Sequence, residues 1–159
     1  MKKLTVLTFI FFLFLLISKK SNAQDYTTAA GAKFGGYESG ISFKYFTAKD
    51  VALEGVLGFK DHGLVVTGLF EIHQEAFGVP ELKFYYGGGA HVGALGNGVY
   101  HSHVFTNNHL LFGADGVLGL EYRIPRSPIG ISIDLNPRAE LATGPFFDIA
   151  PGLGLKYIF

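Results

Sequence analysis

The sequence contains no cysteine. Neither a disulfide framework nor a lipidated N-terminal Cys is therefore available to it. Net charge is also missing, because 13 Lys and Arg balance 13 Asp and Glu. A basic footprint for nucleic acid is absent, and that partner class is set aside. No segment after Gln24 carries an apolar stripe at helical spacing, which argues against a helical domain. The one long apolar run, Leu4 to Ser18, falls short of the ~20 residues that a membrane-spanning helix needs.

What is present begins with a targeting segment. Lys2 and Lys3 form a charged start, the apolar run follows, and Ser21-Asn22-Ala23 is a small-residue cleavage site. Residues 1–23 are read as a removed signal peptide and residues 24–159 as the mature domain. Glycine is abundant at 22 residues while aromatics make up 15%. A disordered chain would be poor in aromatics, so an ordered architecture that needs both small and large side chains is indicated.

Period-two alternation recurs between clusters of Gly, Pro, Asp and Asn, which makes the chain all-β. Eight strands are predicted, at about 26–35, 40–48, 51–60, 64–76, 82–95, 110–123, 129–140 and 147–159. In the last, Phe147, Ile149, Pro151, Leu153, Leu155, Tyr157 and Phe159 alternate with small or charged residues. The seventh sets Ile129, Ile131, Ile133 and Leu135 against Gly130, Ser132, Asp134, Asn136, Arg138 and Glu140. An even strand number suits a closed up-and-down barrel.

Alternation alone does not say which face is inside. A solvent-exposed face gains nothing from Gly, whereas the crowded interior of an eight-stranded barrel needs small residues beside charged ones. The small and charged face is therefore expected to point inward and the apolar face outward into lipid, giving an eight-stranded antiparallel transmembrane β-barrel. With the N-terminus periplasmic, Tyr26, Tyr45, Phe84, Tyr122, Tyr157 and Phe159 fall on the inner rim. Phe34, Phe43, Phe59, Phe112 and Phe147 fall on the outer one. Short turns at 47–50, 77–81 and 124–128 lie on the periplasmic side, and the long connection 96–109 lies outside, where contact with the environment is expected.

The inward charges expected from this parity are Lys33, Lys44, Glu54, Glu71, His73, Glu75, Lys83, His91, Asp115, Glu121, Arg123, Asp134, Arg138, Glu140, Asp148 and Lys156. Both signs are present. They form either a polar conduit or a salt-bridged plug, and an eight-stranded barrel is just wide enough to be filled by side chains, which favours the plug. Asp115, Glu121 and Arg123 on the sixth strand face Asp134 and Arg138 on the seventh, so cross-strand partners of opposite sign are available.

Segments Gly40 to Phe46, Tyr85 to Gly93, Gly113 to Ile124, Pro128 to Pro137 and the terminal GLKYIF resemble the small eight-stranded outer-membrane β-barrel proteins of Gram-negative bacteria. More narrowly, they resemble a group typical of Bacteroidetes. The resemblance implies an outer-membrane location, with membrane lipid and the barrel-assembly machinery as partners. Leu155, Tyr157 and Phe159 look like the C-terminal signal that this machinery reads. No cofactor and no surface ligand is implied.

Some eight-stranded barrels edit lipid A, so a Ser-His-acid arrangement was sought. His101, Ser102 and His103 lie in the long loop, with Glu38 or Glu140 near the same rim. Adjacent residues of an extended segment point apart, however, and no deacylase signature is present. A metal site on His101 and His103 lacks a third ligand close in sequence. A non-enzymatic structural or surface-interaction role is expected, with a lipid A-modifying enzyme or a narrow channel as the alternatives.

Overall fold

The computed structural model describes residues 27–159, apart from 36, 61–62, 97, 101–102, 106–108 and 143–145. The proposed signal peptide at 1–23 and Tyr26 lie outside the described residues. The strands are β1 (Thr28–Gly35), β2 (Ser39–Ala48), β3 (Val51–Lys60), β4 (Gly63–Ala76), β5 (Val79–Leu95), β6 (Gly98–Tyr100), β7 (His103–Phe105), β8 (His109–Arg123), β9 (Ile129–Glu140) and β10 (Phe146–Ile158).

Eight of them close into one antiparallel barrel in the order β1-β10-β9-β8-β5-β4-β3-β2. The seam is β1 against β10, with Ala30 opposite Tyr157 and Phe34 opposite Leu153. Closure removes the sheet edges, so every strand finds a backbone partner on both sides. Strands β6 and β7 pair only with each other, Val99 opposite Val104, as a small hairpin within the longest connection. The sequence reading takes this stretch as the long connection 96–109 and places no strand in it.

Alternation puts the apolar side chains outside. Ile41, Leu57, Val66, Leu118, Ile133 and Leu153 are all exposed on the outer wall. Lys44, Glu54, Glu71, Asp134 and Arg138 are buried inside. The interior also holds apolar groups of its own: Leu69, Tyr85 and Val117 form one layer, and Val65, Leu95 and Leu111 form another.

One end of the barrel, the turn end, carries the start of β1, the finish of β10 and the turns at 49–50, 77–78 and 124–128. The other, the loop end, carries the connections at 36–38, 61–62, 96–108 and 141–145. Exposed Tyr45, Tyr86, Tyr122 and Phe159 ring the turn end, while exposed Phe34, Phe59, Phe112 and Phe147 ring the loop end. Phe43 departs from the rim expected for it. It pairs with Ala30 and Gly55 in the middle of β2, because that strand starts at Ser39.

Glycine is placed as the crowding argument requires, with exceptions. At the inward Gly119, a Cβ would lie 2.7 Å from Tyr85 Cζ and 2.8 Å from Asp134 Cβ. Gly55 and Gly68 instead face outward, where a Cβ would meet nothing within 4 Å. Gly119→Val is therefore expected to lower unfolding free energy by ~1 to 3 kcal/mol through overpacking. Gly55→Ala should leave it unchanged or slightly raised. Comparing the urea midpoints of the two variants tests the assignment of faces.

Candidate functional site

The interior is filled by two groups of ion pairs, and strand register builds the first contact of each. Lys44 on β2 is the cross-strand partner of Glu54 on β3, and Asp115 on β8 is that of Arg138 on β9. Inward-pointing partners of opposite sign meet directly.

The group nearer the turn end centres on Lys44, which is fully buried. Its Nζ lies 2.8 Å from Glu71, 2.9 Å from Glu121 and 3.3 Å from Glu54. These contacts cross the lumen from β2 to β4 and β8. Lys156 on β10 adds a 2.9 Å contact to Glu54, which also accepts from the Ser42 hydroxyl. His73 Nε2 lies 2.9 Å from Glu71. The His73 ring stacks on Tyr85 at 5.1 Å between centroids, and the Lys44 ammonium sits 4.5 Å above the same Tyr85 ring. At its far end the Tyr85 hydroxyl donates to Asp134 at 2.7 Å. Asp134 is met by Lys33 at 3.3 Å and by the Asn136 amide at 2.5 Å.

Arg138 organises the group at the loop end. Its Nε donates to Asp115 at 2.6 Å, and its two terminal nitrogens grip the Glu38 carboxylate at 2.9 and 3.0 Å. A planar guanidinium suits such a two-pronged contact. Tyr37 lays its ring 4.4 Å from the same guanidinium, and Thr67 donates to Glu38 at 3.0 Å. His91 bridges Asp115 at 2.7 Å and Glu140 at 3.0 Å through its two ring nitrogens. A carboxylate only accepts, so both contacts are hydrogen bonds when both nitrogens carry protons. Glu140 also accepts from the backbone N–H of Phe112 and Ala142, tying Ala142 to the wall.

Between the groups lies the layer of Leu69, Tyr85 and Val117. Among the described residues, one cavity of about 20 Å³ at the turn end is lined by His73, Lys83, Glu121 and Arg123, and another of about 30 Å³ toward the loop end is lined by Lys33, Glu38, Asp115 and Arg138. Each has room for a water or two. Charges this close across a narrow lumen tie strands β2, β3, β4, β8, β9 and β10 together.

Of the charges expected inside, Lys33, Lys44, Glu54, Glu71, His73, His91, Asp115, Glu121, Asp134, Arg138, Glu140 and Lys156 are buried and joined in these groups. Lys83 and Arg123 are half-buried and line the cavity at the turn end. Two expectations are corrected. Glu75 is exposed, because β4 runs on past the last β3 partner, Val51 opposite Ile72, and leaves the barrel interior behind. Asp148 is exposed at the start of β10, its carboxylate accepting from Ile149 N–H at 2.7 Å.

Parity could also have flagged Ser42 and Thr67 as inward partners, while Tyr85 and Asn136 fall on the inward face as alternation implies. Tyr37 and Glu38 follow no such rule, since they sit between strands. His101 and Ser102 lie outside the described residues, and His103 is described only as part of β7. Among the described residues, no three His, Cys, Asp or Glu side chains are grouped to hold a metal.

At the C-terminus, Leu155 points outward and the Tyr157 and Phe159 rings meet at 5.0 Å. Phe159 N–H donates to Thr28 carbonyl at 2.9 Å, which closes the seam.

Closed strand order, an apolar outside and a charged inside define the class: an eight-stranded up-and-down β-barrel of the outer-membrane type. Among solved structures, the chain is similar to the N-terminal β-barrel domain of Pseudomonas aeruginosa OprF, with a TM-score of 0.65 and 21% identity over 85% of this chain and 100% of that one. No protein-family model and no curated protein sequence matches it.

Proposed function

We propose that the mature chain is an outer-membrane barrel with a non-enzymatic structural or surface-interaction role, its lumen closed by the paired charges. The observation that carries this reading is Lys44, fully buried and held by Glu54 of the neighbouring β3 and, across the lumen, by Glu71 of β4 and Glu121 of β8. The exposed aliphatic wall between two aromatic rims suits hydrocarbon between two interfaces. In hydrocarbon every backbone group must be paired within the protein, which a closed barrel achieves. Similarity in fold to the OprF barrel domain supports the barrel part of this reading.

Residues 1–23 serve as the export signal in this reading. The turn end is periplasmic and the β6–β7 connection faces outward. The test is fractionation of the native protein, with unboiled and boiled samples compared in detergent gels. Recovery with the outer membrane, starting at Gln24 and with two distinct mobilities, is expected; a soluble chain of one mobility would refute the proposal.

The barrel-assembly machinery is the proposed reader of Leu155, Tyr157 and Phe159. Deleting Phe159 should reduce insertion in cells far more than it lowers the stability of barrel refolded in detergent, because it removes a recognised end as well as a seam contact. Near-normal insertion of the truncated chain counts against that role.

A further inference from the structure

Arg138 does not by itself balance the charge at the loop end. Glu38, Asp115 and Glu140 bring three carboxylates to this group against its one guanidinium. Lys33 lines the same cavity but is engaged by Asp134 and Asn136, each at 3.3 Å. The His91 imidazole stands between Asp115 and Glu140 and is 2% exposed.

The two carboxylates are divided in the same way. Asp115 turns one oxygen to Arg138 Nε at 2.6 Å and the other to His91 Nδ1 at 2.7 Å. Glu140 turns one oxygen to the backbone N–H of Phe112 and Ala142, and the other to His91 Nε2 at 3.0 Å. A neutral imidazole has one N–H and one lone pair, so it would set that lone pair against a carboxylate oxygen out of reach of bulk water. An imidazolium donates at both nitrogens and supplies the charge that the carboxylates lack. The position is shaped for the ring. Its cross-strand partner on β8 is Gly113, where a Cβ would lie 2.8 Å from His91 Cε1.

We infer that His91 is a buried imidazolium that pins the loop end, and that loss of its second proton releases Glu38 and Ala142 from the wall. A lone pair at either nitrogen repels the carboxylate facing it. If Glu140 turns away, the Phe112 and Ala142 amides lose their acceptor. If Asp115 turns away, Arg138 loses the contact that orients its grip on Glu38. The charged groups facing His91 are Asp115 on β8, Arg138 and Glu140 on β9, and Glu38 beyond the guanidinium. From β4 the cross-strand partner is Thr67, which is uncharged and bonds to Glu38. The pin holds while the imidazolium persists and is lost as pH rises through its titration, which is the sign of a proton bound on folding.

The test is nuclear magnetic resonance of the mature protein in detergent micelles, with labelled histidine assigned by through-bond correlation to the His91 backbone. His73 and His109 are thereby read apart from it. At neutral pH both His91 nitrogens should show the shift and coupling of an N–H. As pH is raised, amide protection at Phe112 and Ala142, corrected for intrinsic exchange, should fall severalfold in step with the loss of that proton. Protease cleavage at the 36–38 connection should rise over the same range. In Glu140→Gln the new amide can donate to Nε2, so the signature of two N–H groups should give way to one.

A single N–H on His91 at neutral pH overturns the imidazolium. Titration of His91 with no change at Phe112, Ala142 or 36–38 overturns the release, and two protons retained in folded Glu140→Gln remove Glu140 from the pin. If that variant does not fold, the pH series on the parent still decides. The inference rests on the barrel and not on its location: a neutral His91 in a heat-modifiable barrel leaves the membrane reading standing, whereas loss of the heat-dependent gel shift strikes the membrane reading itself.

Discussion

Replacing Lys44 by Met is expected to lower the unfolding free energy by ~3 to 5 kcal/mol, the usual cost of leaving buried partners uncompensated. Met fills similar volume, so packing changes little and the loss is electrostatic. Glu54 keeps Lys156 at 2.9 Å, but Glu71 and Glu121 lose the Lys44 ammonium at 2.8 and 2.9 Å. A Lys44→Met barrel in which Glu71 and Glu121 are also Gln should recover most of the stability, since uncharged amides can be buried with hydrogen bonds at far lower cost. The readout is the urea concentration at which the fast-migrating unboiled band disappears. A loss within ~1 kcal/mol for the single variant would place this cluster in contact with water, as for an exposed pair.

Arg138→Ala is the second large effect. The guanidinium joins β9 to Asp115 on β8 and to Glu38 between β1 and β2; without it Glu38 loses its two-pronged partner and Asp115 keeps the His91 contact that also serves Glu140. In a closed lumen the expected loss is again ~3 to 5 kcal/mol. In an open, hydrated one it is ~0 to 1 kcal/mol, accompanied by a change in ion preference. Because Glu38 belongs to no strand, the variant should also free the connection at 36–38. Faster proteolysis there than in the parent would register that release.

Most of the barrel was legible because one rule, alternation, governs both faces. The Phe147 to Phe159 run places β10 and its register parity together, and the same holds for Ile129 to Glu140. The rule fails where the chain departs from a regular wall. Pro80 and the register shift between Glu75 and Ala76 hide the start of β5 at Val79, three residues before the predicted start. Strands β6 and β7 are too short to show a period.

The inward charges were legible as a set, while their partners were only partly so. Asp115 with Arg138 follows from hairpin neighbours. Lys44 with Glu121 and Lys33 with Asp134 cross a lumen whose width is fixed only when the barrel closes. Glu38, the closest approach to Arg138's terminal nitrogens, sits on a connection with no parity to read. The argument that glycine marks the inner face holds at Gly119 and not at Gly55 and Gly68, whose outward positions have no steric requirement inside the protein.

The claim at the centre of the account is a lumen closed by paired charges, and single-channel recording of the heat-modifiable parent protein in a planar bilayer tests it directly. With Lys44 and Arg138 in place, the membrane current should stay at baseline at either polarity. Steady steps that scale with salt and favour one sign of ion would contradict the closed lumen and make the barrel a narrow channel.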